Sequence, residues 1–243
     1  MKHLIGRKIE YFTEVDSTND VAKKLAKDGA CEGTVVIADM QKRGRGRFGR
    51  SWSSPSGGIW LSVILRPEIG SERAPISLLP LIAGSVVAST LNGLYGLNAH
   101  VKWPNDVLIG EKKVSGILTE IDANEIVVGI GINANIDLNT LPAEVRKTAT
   151  TLKTELKKEV SKTALINRLF SELDDMYNRF KEGNAIINCS TIKKRVKILT
   201  KERELIGIAK EIDETGALIL HTEDGSVERI ISGDCIHLSA GAQ

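Results

Sequence analysis

The sequence predicts an α+β protein: a mixed sheet packed by helices, followed by a small all-β unit. Three observations carry that expectation. Apolar, β-branched runs at 34–38 and 59–65 read as buried strands, with further β-rich runs at 114–121 and 126–132. The segment from Ile76 to Leu94 is apolar all round and of helical length, which suits a core helix lying on that sheet. From Ile192 onward the pattern changes to short alternating stretches with turns at Asp213-Glu-Thr-Gly216 and Glu223-Asp-Gly225, as in a small antiparallel barrel or sandwich.

Taken in order, Ile9 to Phe12 forms a short strand, and Ser17 or Thr18 caps a helix in which Val21, Leu25 and Ala22, Ala26 recur at i, i+4. A basic glycine-rich loop joins the strands at 34–38 and 59–65. The runs at 114–121 and 126–132 are separated by Asp122-Ala-Asn-Glu125, which is hairpin chemistry. After Asn133 the chain is polar and mixed in charge until a helix from Ala164 to Phe180, with Leu165, Leu169, Leu173 and Met176 on one face and Gly183-Asn184 at its end. The expected division is a larger domain over 1–188 and a small one over 189–243.

A chain of 243 residues is long enough for this arrangement, burying roughly 70% of its unfolded surface without disulfides. With 33 basic and 31 acidic residues, attraction to nucleic acid or an anionic membrane has to come from local patches. One patch is the loop at 42–50. Another is Lys193, Lys194, Arg195, Lys197, Lys201 and Arg203, diluted by Glu202 and Glu204. Cys31, Cys189 and Cys235 are odd in number and lack metal-ligand spacing, so they read as buried thiols in a reducing compartment. The N-terminus has no apolar signal region, and the apolar run from Ile76 to Leu91 is interrupted by Pro80, Ser85 and Ser89. The expected location is the cytoplasm, with no membrane partner.

The stretch from Gln41 to Trp52 carries Lys42, Arg43, Arg45, Arg47 and Arg50 with Gly44, Gly46 and Gly49, and no acidic residue. Cations beside glycines that allow close backbone approach suit an anionic ligand such as phosphate. Alone, such a run equally describes a solvated loop or an RNA-binding patch. The chain has neither a GxSxG elbow nor a Walker-type GxxxxGK[ST] motif.

Further blocks decide between these readings: Ser17-Thr-Asn19, Ser54-Pro55 with Gly57, Lys102-Trp-Pro-Asn-Asp106, Lys113-Val-Ser-Gly-Ile-Leu-Thr-Glu120, Gly129-Ile-Gly-Ile-Asn133 and Ala149-Thr-Thr-Leu152. In this order, with the basic loop, they resemble the biotin protein ligases, the biotin–(acetyl-CoA-carboxylase) ligases, over nearly the whole chain. The resemblance implies a catalytic domain like those of biotin ligases and class II aminoacyl-tRNA synthetases, and an SH3-like C-terminal domain. It implies an ATP-dependent, AMP-forming enzyme that makes biotinyl-5′-AMP and passes biotin to a lysine of a biotin carboxyl carrier domain. ATP, biotin and Mg²⁺ are then the small partners, and the resemblance also admits a homodimer. The chain enters its catalytic domain within about ten residues of Met1, so no helix-turn-helix module and no operator DNA binding are expected.

By the same resemblance, Ser17, Thr18, Asn19 and Gln41 line the head of the biotin pocket, and Gly116 leaves room for ligand. Arg45, Gly46 and Arg47 belong to a loop that closes over biotin and adenylate, with Trp52 packed against it and Arg47 on the α-phosphate. Lys113 sits between the biotin carboxylate and the phosphate, with Asn105 and Asn133 near the nucleotide. Asp106 and Asn133 are expected either to support Mg²⁺ or to orient the incoming amine. A lipoate ligase is the nearest enzymatic rival, and an RNA-binding module using the basic loop is the rival from another class.

Overall fold

The computed structural model describes residues 3–67, 75–122 and 125–238. Ala123 and Asn124, the centre of the expected hairpin turn, lie outside them. The larger sheet has seven strands, β1 (Ile9–Val15), β2 (Val35–Gln41), β3 (Ile59–Leu65), β4 (Ala99–Lys102), β5 (Asp106–Ile109), β6 (Lys112–Asp122) and β7 (Glu125–Ile132), in the order β1-β2-β3-β7-β6-β5-β4. β1 and β2 pair in parallel around the crossover helix α1 (Thr18–Lys27), and every other neighbouring pair is antiparallel.

The two faces of this sheet are covered differently. On one, α2 (Leu79–Tyr95) and α5 (Lys162–Lys181) build the main core with Leu61, Val63, Ile117, Val128 and Ile130. Because α2 lies between the sheet and α5, it is largely apolar; with the turn before it, the stretch Ile76–Tyr95 has the length and composition to cross a membrane, and most of it is buried in the fold. On the other face α1 packs Ala22 and Ala26 on Val36, Ile64 and Val127, and covers only part of the sheet. The uncovered part is a cleft. The polar connection after Asn133 contains two short helices that periodicity did not reveal, α3 (Ala143–Thr148) and α4 (Leu152–Leu156).

The smaller unit is an antiparallel five-stranded sheet of β8 (Arg195–Leu199), β9 (Glu204–Ile212), β10 (Leu218–Thr222), β11 (Val227–Ile230) and β12 (Asp234–His237), in the order β11-β10-β9-β8-β12. Its core is continuous with that of the larger unit. Trp103, 1% exposed, pins the two together: its backbone N–H donates to Thr191 Oγ1 and its indole N–H to the Gly216 carbonyl, both at 3.0 Å.

Two expectations need correction. Cys31 is exposed and Cys189 half-buried, so only Cys235 is a buried thiol; Cys31 stands in the open turn after α1. The basic strand of the small unit is also neutralised locally, Arg195 by Glu223, Lys197 by Glu204 and Arg203 by Glu228.

Candidate active site

The register of the large sheet lays out the floor of the cleft. Ala38, Trp60, Gly131, Gly116, Asp106 and Lys102 are successive cross-strand partners from β2 to β4, so they share one face. The next row contains Val36, Ser62, Gly129 and Leu118. At two of these positions a side chain would collide with a neighbour, and at a third it would be tight. A Cβ on Gly131 would lie 2.7 Å from Trp52 Nε1, one on Gly129 2.2 Å from Asn19 Oδ1, and one on Gly116 3.0 Å from Trp52 and 3.2 Å from Lys113 Nζ. Gly116 therefore first makes room for the Trp52 and Lys113 side chains, where space for a ligand was expected. Trp52 stands edge-on to Trp60 with centroids 6.4 Å apart, and its indole N–H is buried without an acceptor among the described residues.

The cavity above this floor encloses about 380 Å³. Of the expected site residues, Ser17, Thr18, Asn19, Gln41, Arg45, Gly46, Arg47, Trp52, Asn105, Asp106, Lys113 and Gly116 all line it, and Asn133 does not. Asn133 is 4% exposed, and its side-chain amide donates to the carbonyls of Thr150 at 3.0 Å and Lys113 at 3.4 Å. It is a staple beneath the site. The pair Asp106 and Asn133 consequently does not fit a magnesium site, and among the described residues no group of three His, Cys, Asp or Glu is placed to hold a metal ion.

At the α1 end the cavity is polar, and Arg45, the charged side chain lining it there, is paired with Asp20 and Glu120. Ser17 occupies the N-cap position without a side-chain capping bond; instead Gln41 Oε1 accepts from the Thr18 backbone N–H at 2.8 Å and lies 3.1 Å from the Thr18 hydroxyl. The capping expected of Ser17 or Thr18 thus comes from the neighbouring strand. Gln41 Nε2 donates to Ser54 Oγ at 2.7 Å. Asn19 is likewise satisfied, accepting from Ser62 Oγ at 2.6 Å and donating to Glu120 at 2.8 Å. Both amides hold the wall in place. Ser62 and Glu120, whose role as partners sequence reasoning missed, are brought here by strand register; Ser62 carries no local motif, and Glu120 closes the block that begins at Lys113.

The basic loop is a hairpin: Arg45 bridges Ser51, the Trp52 N–H donates to Gly44 O at 2.8 Å, and Phe48 turns it at φ 57°. Gly44, Gly46 and Gly49 have the GxGxxG spacing after a strand, yet no α-helix follows, so the dinucleotide-binding arrangement is not formed. Four of the five cations have carboxylate partners from distant parts of the chain. Lys42 pairs with Glu14, Arg43 with Asp16, Arg45 with Asp20 and Glu120, and Arg50 with Asp234. Arg47 alone has no carboxylate partner among the described residues. Its guanidinium donates to Asn105 Oδ1 and the Gly233 carbonyl at 3.3 Å and to Ser232 Oγ at 3.0 Å. Burial holds its pKa below the usual arginine range, against the pull of Asp234 and Asp106. A half-buried guanidinium with neutral partners is a site for an anion.

Ser232, Gly233 and Asp234 belong to the small unit, which also contributes Leu199, Cys235 and Ile236 to the cavity wall. That wall comes from β12, the turn before it and the last residue of β8. Burial pushes the Cys235 thiol up to about 12, so it is an uncharged, unreactive part of the wall.

Lys113 reaches the cleft through a bulge. Val107 pairs with Ser115, but Leu108 pairs with Lys113, so β6 holds one extra residue and Val114 turns into the main core. Strict alternation from Gly116 would put Lys112 in the cleft; the bulge puts Lys113 there and leaves Lys112 exposed. The Lys113 ammonium lies 2.5 Å from Asp106 Oδ1 and 5.0 Å from the centroid of Trp52.

Comparison with known proteins accords with this geometry. Residues 11–137, over half of the chain, match the biotin/lipoate A/B protein ligase family, and residues 191–238 match the biotin protein ligase C terminal domain. The bifunctional ligase/repressor BirA of Bacillus subtilis is 34% identical over 95% of this chain and 74% of its own length. The biotin–(acetyl-CoA-carboxylase) ligase of Mycobacterium tuberculosis is 29% identical over 96% of this chain and 90% of its own. The solved structure of biotin protein ligase from Aquifex aeolicus in complex with biotin and ATP superposes with a TM-score of 0.81 at 32% identity, covering 95% of this chain and 98% of that one. Fold, cavity and sequence agree: the chain belongs to the biotin/lipoate A/B protein ligase family.

Proposed function

We propose that the protein is an ATP-dependent biotin protein ligase, which joins biotin to AMP and then passes it to a lysine of a biotin carboxyl carrier domain. A carboxylate and a triphosphate repel each other, so the first step needs alignment and positive charge more than a nucleophile. The observation that carries the reading is the division of one cavity into a polar α1 end, where Arg45 is held by two carboxylates, and a cationic end built around Arg47 and Lys113. Biotin lies with its uncharged head against Ser17 and Thr18, and its carboxylate points at Lys113. Arg47 takes the α-phosphate and Asn105 orients that arginine. Trp52 provides the ring surface between them.

Gln41 and Asn19 act through Thr18 and the strand edge rather than on biotin directly, and Arg45 anchors the loop through Asp20 and Glu120. Asp106 holds the Lys113 ammonium in place and is the carboxylate nearest the carrier lysine's route of attack. Magnesium enters with the phosphates of ATP. We retain 1–188 as the catalytic unit and 189–243 as a domain that completes the cavity wall. The three free thiols accord with a cytoplasmic setting. An RNA-binding role for the loop is disfavoured, because four of its five cations are already paired. Incubating the protein with labelled ATP, Mg²⁺ and either biotin or lipoate tests the assignment: a labelled adenylate with biotin supports it, and one with lipoate alone refutes it.

A further inference from the structure

The cavity contains one cation with no assigned partner. Arg45 is bound by Asp20 and Glu120, Arg50 by Asp234 and Lys113 by Asp106, while Arg47 has three neutral acceptors. Lys102, which also lines the cavity, makes neither an ion pair nor a side-chain hydrogen bond among the described residues. It is the last residue of β4 and the cross-strand partner of Asp106, so its side chain leaves the sheet on the cleft face. Asp106 cannot neutralise it fully, being held by Lys113. Cations also gather beside it: burial, then the charges of Lys194, Lys102 and His100, hold the His237 imidazole down at about 4. A half-buried ammonium in such surroundings is costly unless an anion comes to it.

We propose that Lys102 binds the pyrophosphate that leaves during adenylation, an inference that rests on the ligase reading above. Its place in the row decides this. The biotin head lies at the α1 end, Lys113 and Arg47 bracket the reacting centre, and Lys102 stands on the last strand at the far end. Phosphoryl-type displacement runs with attacking and leaving oxygens roughly in line. A carboxylate oxygen arriving from the α1 end bonds to the α-phosphorus. The bond from that phosphorus to the oxygen bridging the β-phosphate breaks, and the bridging oxygen leaves with the electron pair toward Lys102. The ammonium donates a hydrogen bond to the pyrophosphate without giving up its proton.

The test is biotin-dependent exchange of pyrophosphate into ATP, measured with Lys102→Met, which keeps the aliphatic stem, with Lys102→Arg, which keeps the charge, and with Lys112→Met as an exposed control. Loss of a charge-assisted hydrogen bond should raise the KM for pyrophosphate on the order of tenfold to a hundredfold in Lys102→Met. The KM for biotin and the transfer of biotin from preformed adenylate to a carrier should be unchanged, and Lys102→Arg should recover most of the loss. An unaltered KM for pyrophosphate in Lys102→Met, or an equal defect in transfer from preformed adenylate, would overturn the inference while leaving the ligase reading intact. Absence of biotin-dependent exchange in the unaltered protein would instead remove the reading on which it rests.

Discussion

The Lys113 ammonium meets the Asp106 carboxylate at 2.5 Å because a bulge in β6 reverses the alternation that would otherwise send Lys113 to the back of the sheet. The pair thus depends on one extra residue opposite Leu108. Replacing Lys113 by Ala should slow adenylate formation by about a hundredfold, the usual cost of losing one electrostatic contact to a transition state, with a much smaller change in biotin affinity. Lys112→Ala should behave like the unaltered protein. Single-turnover rates decide it, and a larger defect in Lys112→Ala would show that the bulge does not choose the lysine.

Gly129→Ala should damage the biotin end selectively. The added methyl would lie 2.2 Å from Asn19 Oδ1, which accepts from Ser62 and belongs to the residue that ties α1 to Glu120. Relief requires moving α1 or the strand, at about 1–3 kcal/mol of stability. Calorimetric titration should show biotin affinity reduced more than tenfold, which follows if about 1.4 kcal/mol of that displacement falls on the pocket. Unchanged affinity and melting temperature would mean that Asn19 has somewhere else to go.

The latch between loop and small domain should control exposure of the loop. Arg50 pairs with Asp234 near the surface, and such a pair contributes about 0.2–1 kcal/mol, enough to change the closed population a few-fold without affecting the fold. Asp234→Ala should therefore speed tryptic cleavage between Arg45 and Arg50 severalfold, with biotin and ATP restoring protection. Equal cleavage rates in both proteins would assign loop order to Arg47 alone.

His237 should make the protein sensitive to acid. Its pKa is lowered in the folded state to about 4 from 6.5, so the unfolded chain binds more protons between those values and stability falls as pH drops through that window. The melting temperature of the unaltered protein should decline from pH 6.5 toward pH 4 more steeply than that of His237→Gln. Parallel curves would indicate that the imidazole is not held neutral by its surroundings.

Much of the site was legible in the chain because its parts are local. Ser17-Thr-Asn19, the loop from Gln41 to Trp52, and Lys113 with Gly116 are short blocks, and every residue named in the first and last of them, with just over half of the loop, lines one cavity. What the chain concealed depends on pairing between distant segments. The loop looked unneutralised because its counter-charges, Glu14, Asp16, Asp20, Glu120 and Asp234, lie outside it in sequence. Asn133 looked like a ligand because only the path of the chain after β7 shows that its amide faces Thr150. The contribution of Ser232 to Asp234 had no motif at all, being a turn placed against Arg47 by the packing of one domain on another.

The central claim is that this single cavity activates biotin at its carboxylate with ATP. Exchange of labelled pyrophosphate into ATP, with the purified protein, Mg²⁺ and biotin and no carrier present, measures that step alone. The account predicts exchange that requires biotin and is not supported by lipoate. Exchange that proceeds with lipoate but fails with biotin would contradict it.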